Sequence, residues 1–268
     1  MFEQNVLWAF LVTVLAASAT MIGALSIISA KTSRPRLLAF GLAFAGGAMV
    51  YISLVEILVK SQTAFTEIYD AKTGYAYATL AFFIGIGLLV ILDRVLPNPH
   101  ADISKIKPSD MRDQNINRSE LKTVGLLATL AITAHNIPEG MATFFSTLDS
   151  PSIGISLAIA IAIHNIPEGL SIAIPVFYAT GSKTKAVLAT SISALAEPFG
   201  ALLGYFVLQP FIGPVMYGSL FGIIAGAMVY LALDELLPAS KKYAQGHETV
   251  YGMITGMAVL AISLVMFK

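Results

Sequence analysis

The sequence predicts an all-α membrane protein: eight transmembrane helices with inverted repeats, N- and C-termini outside. Three observations carry this. Of the 268 residues, 56% are hydrophobic and only 12% are charged, about half the charged share of a soluble domain. Eight apolar stretches come close to or exceed the roughly 20 residues that a helix needs to cross a bilayer core. Two segments recur in stretches that run in opposite directions. A net charge of +0 removes the broad basic footprint of a nucleic-acid binder, and the lack of cysteine removes disulfides and thiolate metal sites.

In chain order the predicted spans cover about 5–29, 37–59, 75–92, 121–148, 152–179, 185–208, 213–236 and 249–267. The first has no Lys or Arg before it and runs past Ala17-Ser18-Ala19 to Ala30, longer than a cleaved signal core. It is expected to be retained. The joints at 31–36, 149–151, 181–184 and 209–212 are short and force antiparallel neighbours. The connection 93–120 is long and polar, with Pro97, Pro99, Pro108, Asp102, Lys105 and Arg112. It reads as a cytoplasmic loop between spans three and four, inside one membrane domain covering 1–268.

Lys and Arg set the orientation. With the N-terminus outside, Lys31, Arg34, Arg36, Arg94, Lys105, Lys107, Arg112, Arg118, Lys122, Lys183, Lys185, Lys241 and Lys242 all fall inside. Only Lys60, Lys72 and Lys268 fall outside, which is a strong positive-inside bias. The predicted location is the cell (inner) membrane, crossed several times.

The two repeats come next. Residues 131–140 and 160–169 share eight of ten positions, including His-Asn-Ile-Pro-Glu-Gly, in spans four and five. Residues 47–58 and 226–237 share eight of twelve, beginning Gly-Ala-Met-Val-Tyr, in spans two and seven. Small residues recur in membrane helices because they let backbones approach. That explains Gly and Ala but not His, Asn and Glu recurring in order. Opposed repeats are the trace of inverted topology, with a site near the midplane.

Ionisable groups in a bilayer cost about 2.5–3.5 kcal/mol each on insertion scales. Spans four to six nevertheless hold His135, Glu139, His164, Glu168 and Glu197 near their centres. His135 and Glu139 are i and i+4 and share a helix face, and Asn136 lies one step round. Span five repeats the set as His164, Asn165 and Glu168. Imidazole with carboxylate suits Zn²⁺ and similar first-row ions, whereas amide and carboxylate oxygens suit Fe²⁺ or Mn²⁺ as well. Glu139 and Glu168 could bridge two ions about 3.5–4 Å apart. Pro138, Pro167 and Pro198 each remove a backbone donor and free the carbonyls of Ala134, Ile163 and Ala194.

His135-Asn136-Ile137-Pro138-Glu139-Gly140, its copy at 164–169, and Ala196-Glu197-Pro198-Phe199-Gly200 resemble the signatures of the ZIP (Zrt/Irt-like) divalent metal transporter family, most closely its compact bacterial zinc-uptake branch. The resemblance covers the whole eight-span plan. It implies a two-metal site, with His135, Glu139, His164 and Glu168 at a first position and Asn136, Glu139, Asn165, Glu168 and Glu197 at a second. It also implies uptake of zinc, and of iron, manganese, cobalt or cadmium, and it admits a homodimer. Those ions are transported substrates; no cofactor is expected, and the lipid bilayer is the other partner. Two departures are visible: the long loop has His100 alone rather than a His-rich tract, and no large outer domain precedes Trp8.

Rival functions fit less well. A metal hydrolase would want one open zinc and a general base, yet HExxH is missing and the ligands come as an opposed duplicate. A channel or an exporter would share the same ligands; tight anionic sites favour a carrier, and direction rests on the resemblance. Glu56, Asp234 and Glu235 are expected near span ends among headgroups, Asp93 and Asp149 as boundary residues, and His247 in a solvated loop. Asn117-Arg118-Ser119 spells a glycosylation pattern on the predicted inner side.

Overall fold

The computed structural model describes residues 2–29, 35–95 and 118–267. Lys31, Arg34, His100, Asn117 and most of the 93–120 connection lie outside the described residues. Among the described residues every regular element is helical, and they form eight rods. The first is α1 (Phe2–Ser29). The second is α2 (Pro35–Ile52), continued through a wider π-helical turn (Ser53–Ile57) into α3 (Leu58–Thr66). The third is α4 (Ala71–Val95), the fourth α5 (Arg118–Asp149) and the fifth α6 (Pro151–Thr180). The sixth joins α7 (Lys183–Ala194) to α8 (Ala196–Leu208). The seventh runs from α9 (Pro214–Leu231) through a second π turn (Ala232–Leu236) into α10 (Leu237–Tyr243), and the eighth is α11 (Glu248–Phe267).

Local chemistry explains the ends. Pro151 and Pro214 open α6 and α9 at the first turn, where a missing N–H costs nothing. Gly181 closes α6 in the left-handed region at φ 66°. The Ser182 hydroxyl then accepts from Lys185 N at 3.3 Å to start α7. Asp70 caps α4 in the same way, accepting from the Thr73 hydroxyl at 2.6 Å and from the backbone of Thr73 and Lys72 at 3.2 and 3.1 Å. Those bonds, that of the Thr73 hydroxyl foremost, hold its carboxyl below the usual carboxylate value.

Seven rods are long and apolar enough to cross a membrane. The fourth, α5, carries His135, Asn136, Glu139, Thr143, Ser146 and Thr147, all buried. Large apolar side chains such as Leu15, Phe83, Phe206 and Val265 face outward, as lipid contact requires. The rods outrun the predicted spans where polar residues follow the apolar run. Span two was expected to end at 59, yet the rod continues to Thr66, so Glu56 lies within it and is only 4% exposed. This corrects the headgroup placement of Glu56. Asp234 is exposed and Glu235 half-buried within the second π turn.

The inverted repeat is visible in backbone contacts. A Cβ on Gly47 would lie 2.2 Å from the Met253 carbonyl oxygen, and one on Gly256 2.1 Å from that of Phe44. In the matching register, a Cβ on Gly226 would meet the carbonyl oxygen of Phe82 and one on Gly85 that of Ile223. Rods two and eight are thereby matched to rods seven and three. Gly169 against Thr20 and Gly23 against Ile166 pair rods five and one as Gly140 against Glu197 and Gly200 against Ile137 pair rods four and six. The Ser61 hydroxyl donates to Gly218 O at 2.5 Å, and its repeat partner Ser240 donates to Ala39 O at 2.6 Å. Both π turns fall at the same place in the 47–58 and 226–237 repeat.

Candidate metal centre

The twofold relation brings rods four and five together at their shared motif. Each histidine meets the glutamate of the other copy rather than its own. His164 Nε2 lies 3.1 Å from Glu139 Oε1, and His135 Nε2 lies 3.6 Å from Glu168 Oε2. The i, i+4 spacing thus puts His and Glu on one face, and the opposed neighbour completes the pair. One ligand atom from each of His135, Glu139 and Glu168 fits within 4.8 Å of the others, a grouping tight enough for one ion.

The asparagines tie this centre to its flanking rods. Asn136 Nδ2 donates to Ser193 O at 3.1 Å and to Ser193 Oγ at 3.3 Å. Asn165 Nδ2 donates to Ala16 O at 3.1 Å and to Glu197 Oε1 at 2.7 Å. Each amide nitrogen is thus engaged, whereas Asn136 Oδ1 and Asn165 Oδ1 have no hydrogen-bond partner. Glu197 follows the break at Leu195 between α7 and α8, three residues before Pro198, while helix continues through Pro138 and Pro167. Of the three prolines, only Pro198 sits at an interrupted rod.

All seven sequence-picked residues, His135, Asn136, Glu139, His164, Asn165, Glu168 and Glu197, are at most 2% exposed. Eight of their polar atoms lack a hydrogen-bond partner: His135 Nδ1 and Nε2, Asn136 Oδ1, Glu139 Oε2, Asn165 Oδ1, both oxygens of Glu168, and Glu197 Oε2. An unmet buried polar atom costs about 1–3 kcal/mol, and more when charged. Native interiors tolerate few. Seven of the eight belong to rods four and five, and six of the eight are oxygens. Such a donor set suits a divalent cation, which satisfies several acceptors at once and offsets the charge.

Sequence reasoning did not single out Ser193, Ala16 or Lys60. The first two act through a hydroxyl or backbone carbonyl, which leaves no signature. In the sequence Lys60 bears only on orientation, yet it is 9% exposed and lies 3.5 Å from Asp149.

A multi-span helical bundle with a buried, twofold set of His, Asn and Glu defines a membrane carrier of metal cations. Residues 94–264 match the ZIP Zinc transporter family. The chain is 56% identical over 266 residues to "Zinc transporter ZupT" of Xanthomonas axonopodis pv. citri (strain 306), covering 99% of this chain and 97% of that one. It is 57% identical over 264 residues to the protein of the same name from Neisseria meningitidis serogroup B, covering 98% and 97%. With that of Oceanobacillus iheyensis it shares 45% over 266 residues, covering 98% and 99%. The chain belongs to the ZIP zinc transporter family. It is a transporter rather than an enzyme, a multi-pass protein of the inner membrane.

Proposed function

We propose that the chain takes up Zn²⁺ into the cytoplasm, and passes Fe²⁺ and related ions, through two adjacent positions built by rods four, five and six. His135, Glu139, His164 and Glu168 hold the first. Asn136, Glu139, Asn165, Glu168 and Glu197 hold the second. Glu139 and Glu168 serve both, so three carboxylates face two dications and leave a small residual charge. The observation that supports this best is the set of eight unpartnered atoms on these side chains. The names of the bacterial relatives support zinc as the ion. The Asn and Glu197 oxygens, harder donors than imidazole, support passage of Fe²⁺.

Purified protein in vesicles, followed by ⁶⁵Zn and ⁵⁵Fe entry, tests the reading. Glu168→Ala is expected to abolish flux of every ion, because the residue serves both positions. Substantial zinc flux in that variant refutes the bridging role.

A further inference from the structure

A cavity of about 370 Å³ opens at the end of the bundle that the Lys and Arg distribution places outside. Its lining includes Glu56, Lys60, Glu67, Asp149, Tyr217 and Phe221. Lys60 is the unexpected member. An ammonium 9% exposed is costly unless paired, and its pairing is loose. Nζ lies 3.5 Å from Asp149 Oδ2, whose side chain is 43% exposed, and 5.2 Å from the centre of the Phe221 ring. Both contacts hold a cation as a cation, with little geometric demand.

The other copy of the repeat lacks it. Register matches Glu56 with Glu235 and Ser61 with Ser240, and both serines make the same bond across rods two and seven. At the position of Lys60 the other copy has Ala239. At this register a lysine stands in one copy alone. Along α5 between that cavity and the metal centre lie buried polar side chains: Thr143 Oγ1 donates to Glu139 O at 3.0 Å and Thr147 Oγ1 to Thr143 O at 2.7 Å, with Ser146 also buried and Asp149 at the helix end.

We propose that Lys60 is a tethered cation at the outer mouth, which an entering divalent ion must displace from Asp149 before it descends to the centre. Lys60 and the metal ion compete for one carboxylate, so the lysine weakens apparent affinity from outside and favours ions of higher charge. This inference rests on the uptake reading above.

Initial-rate ⁶⁵Zn uptake into vesicles tests it. Lys60→Gln is expected to lower KM by about three- to fivefold, the worth of one partly exposed ion pair. Asp149→Asn is expected to raise KM, and Lys60→Arg, which keeps the charge, to return it toward the parent value. A purely structural pair predicts instead that Lys60→Gln and Asp149→Asn shift KM in the same direction, and that result overturns the proposal. So does an unchanged KM in Lys60→Gln. Should Lys60→Gln melt early in detergent, Lys60→Met keeps the apolar stem and carries the same expectation. Glu168→Ala runs alongside: lost flux there with unmoved KM in Lys60→Gln sinks only the lysine's role, whereas surviving flux in Glu168→Ala sinks the transport site itself.

Discussion

The two halves related by the inverted repeat agree closely in frame and differ in a few side chains. Gly140 and Gly200 pack rod four on rod six as Gly169 and Gly23 pack rod five on rod one. Asn136 reaches Ser193 O as Asn165 reaches Ala16 O. Yet where rod six places Glu197, rod one places Thr20, and where rod two has Lys60, rod seven has Ala239. Where the halves agree, they set helix distances and the crossed His–Glu pairs. Where they differ, a charged group in one copy faces an uncharged one in the other. A carrier that opens alternately to two sides can share one frame between both openings, while side chains that differ let the two openings hold the ion with different apparent affinity.

The largest expected effect comes from the frame. A Cβ on Gly140 would lie 1.9 Å from the Glu197 carbonyl oxygen, and one on Gly169 2.0 Å from that of Thr20. Neither neighbour can yield without moving a backbone. Overpacking of this kind costs about 1–3 kcal/mol, so Gly140→Ala and Gly169→Ala are expected to lower the melting temperature alike. Zinc flux is expected to separate them. Gly140→Ala moves the backbone of a proposed ligand and should cut flux by about tenfold or more, the equivalent of about 1.4 kcal/mol. Gly169→Ala moves a threonine and should cut it less. Gly87→Ala, with nothing within 4 Å of the added carbon, controls for the glycine change itself. Equal flux losses at 140 and 169 break the comparison.

A smaller effect is expected at the asparagines. Asn165→Ala removes the 2.7 Å bond to Glu197 Oε1 and leaves that carboxylate oxygen buried without a donor. Asn136→Ala frees Ser193, a neutral partner, and each substitution also removes the amide oxygen of one proposed ligand. A buried polar atom left without a partner costs about 1–3 kcal/mol, and the one left by Asn165→Ala belongs to a proposed ligand. Asn165→Ala should therefore raise the Kd for zinc more than Asn136→Ala does, by a few-fold. Isothermal titration of zinc into detergent-solubilised protein checks the order, and a reversed order would detach Glu197 from the centre.

The contrast between the halves also explains what the sequence made legible. His135, Asn136, Glu139 and their copies repeat in order, and repetition of costly residues is readable without coordinates. All seven picks are buried. The length of rod two was misread because Lys60, Ser61 and Gln62 end the apolar run. Ser61 is satisfied by Gly218 O and Lys60 by Asp149, partners at sequence distances of 157 and 89 residues. The crossing of the His–Glu pairs was equally hidden, since spacing along one helix says which face a residue takes and not which neighbour it meets. Lys60 itself escaped because it breaks the repeat instead of following it.

The smallest expected effect lies at Thr20, the counterpart of Glu197. Its hydroxyl is buried at 0% exposure, and Oγ1 has no hydrogen-bond partner. Replacing an unmet hydroxyl by a methyl of similar shape leaves nothing newly unpaired, so Thr20→Val should be neutral or stabilising by up to about 1 kcal/mol. If only the Glu197 side supplies a ligand, zinc flux in Thr20→Val stays within about twofold of the parent, a difference of about 0.4 kcal/mol. A loss as deep as that of Glu197→Ala would mean that the hydroxyl also meets the ion. The second position would then span rods one and six together, and the repeat would extend from the frame into the chemistry.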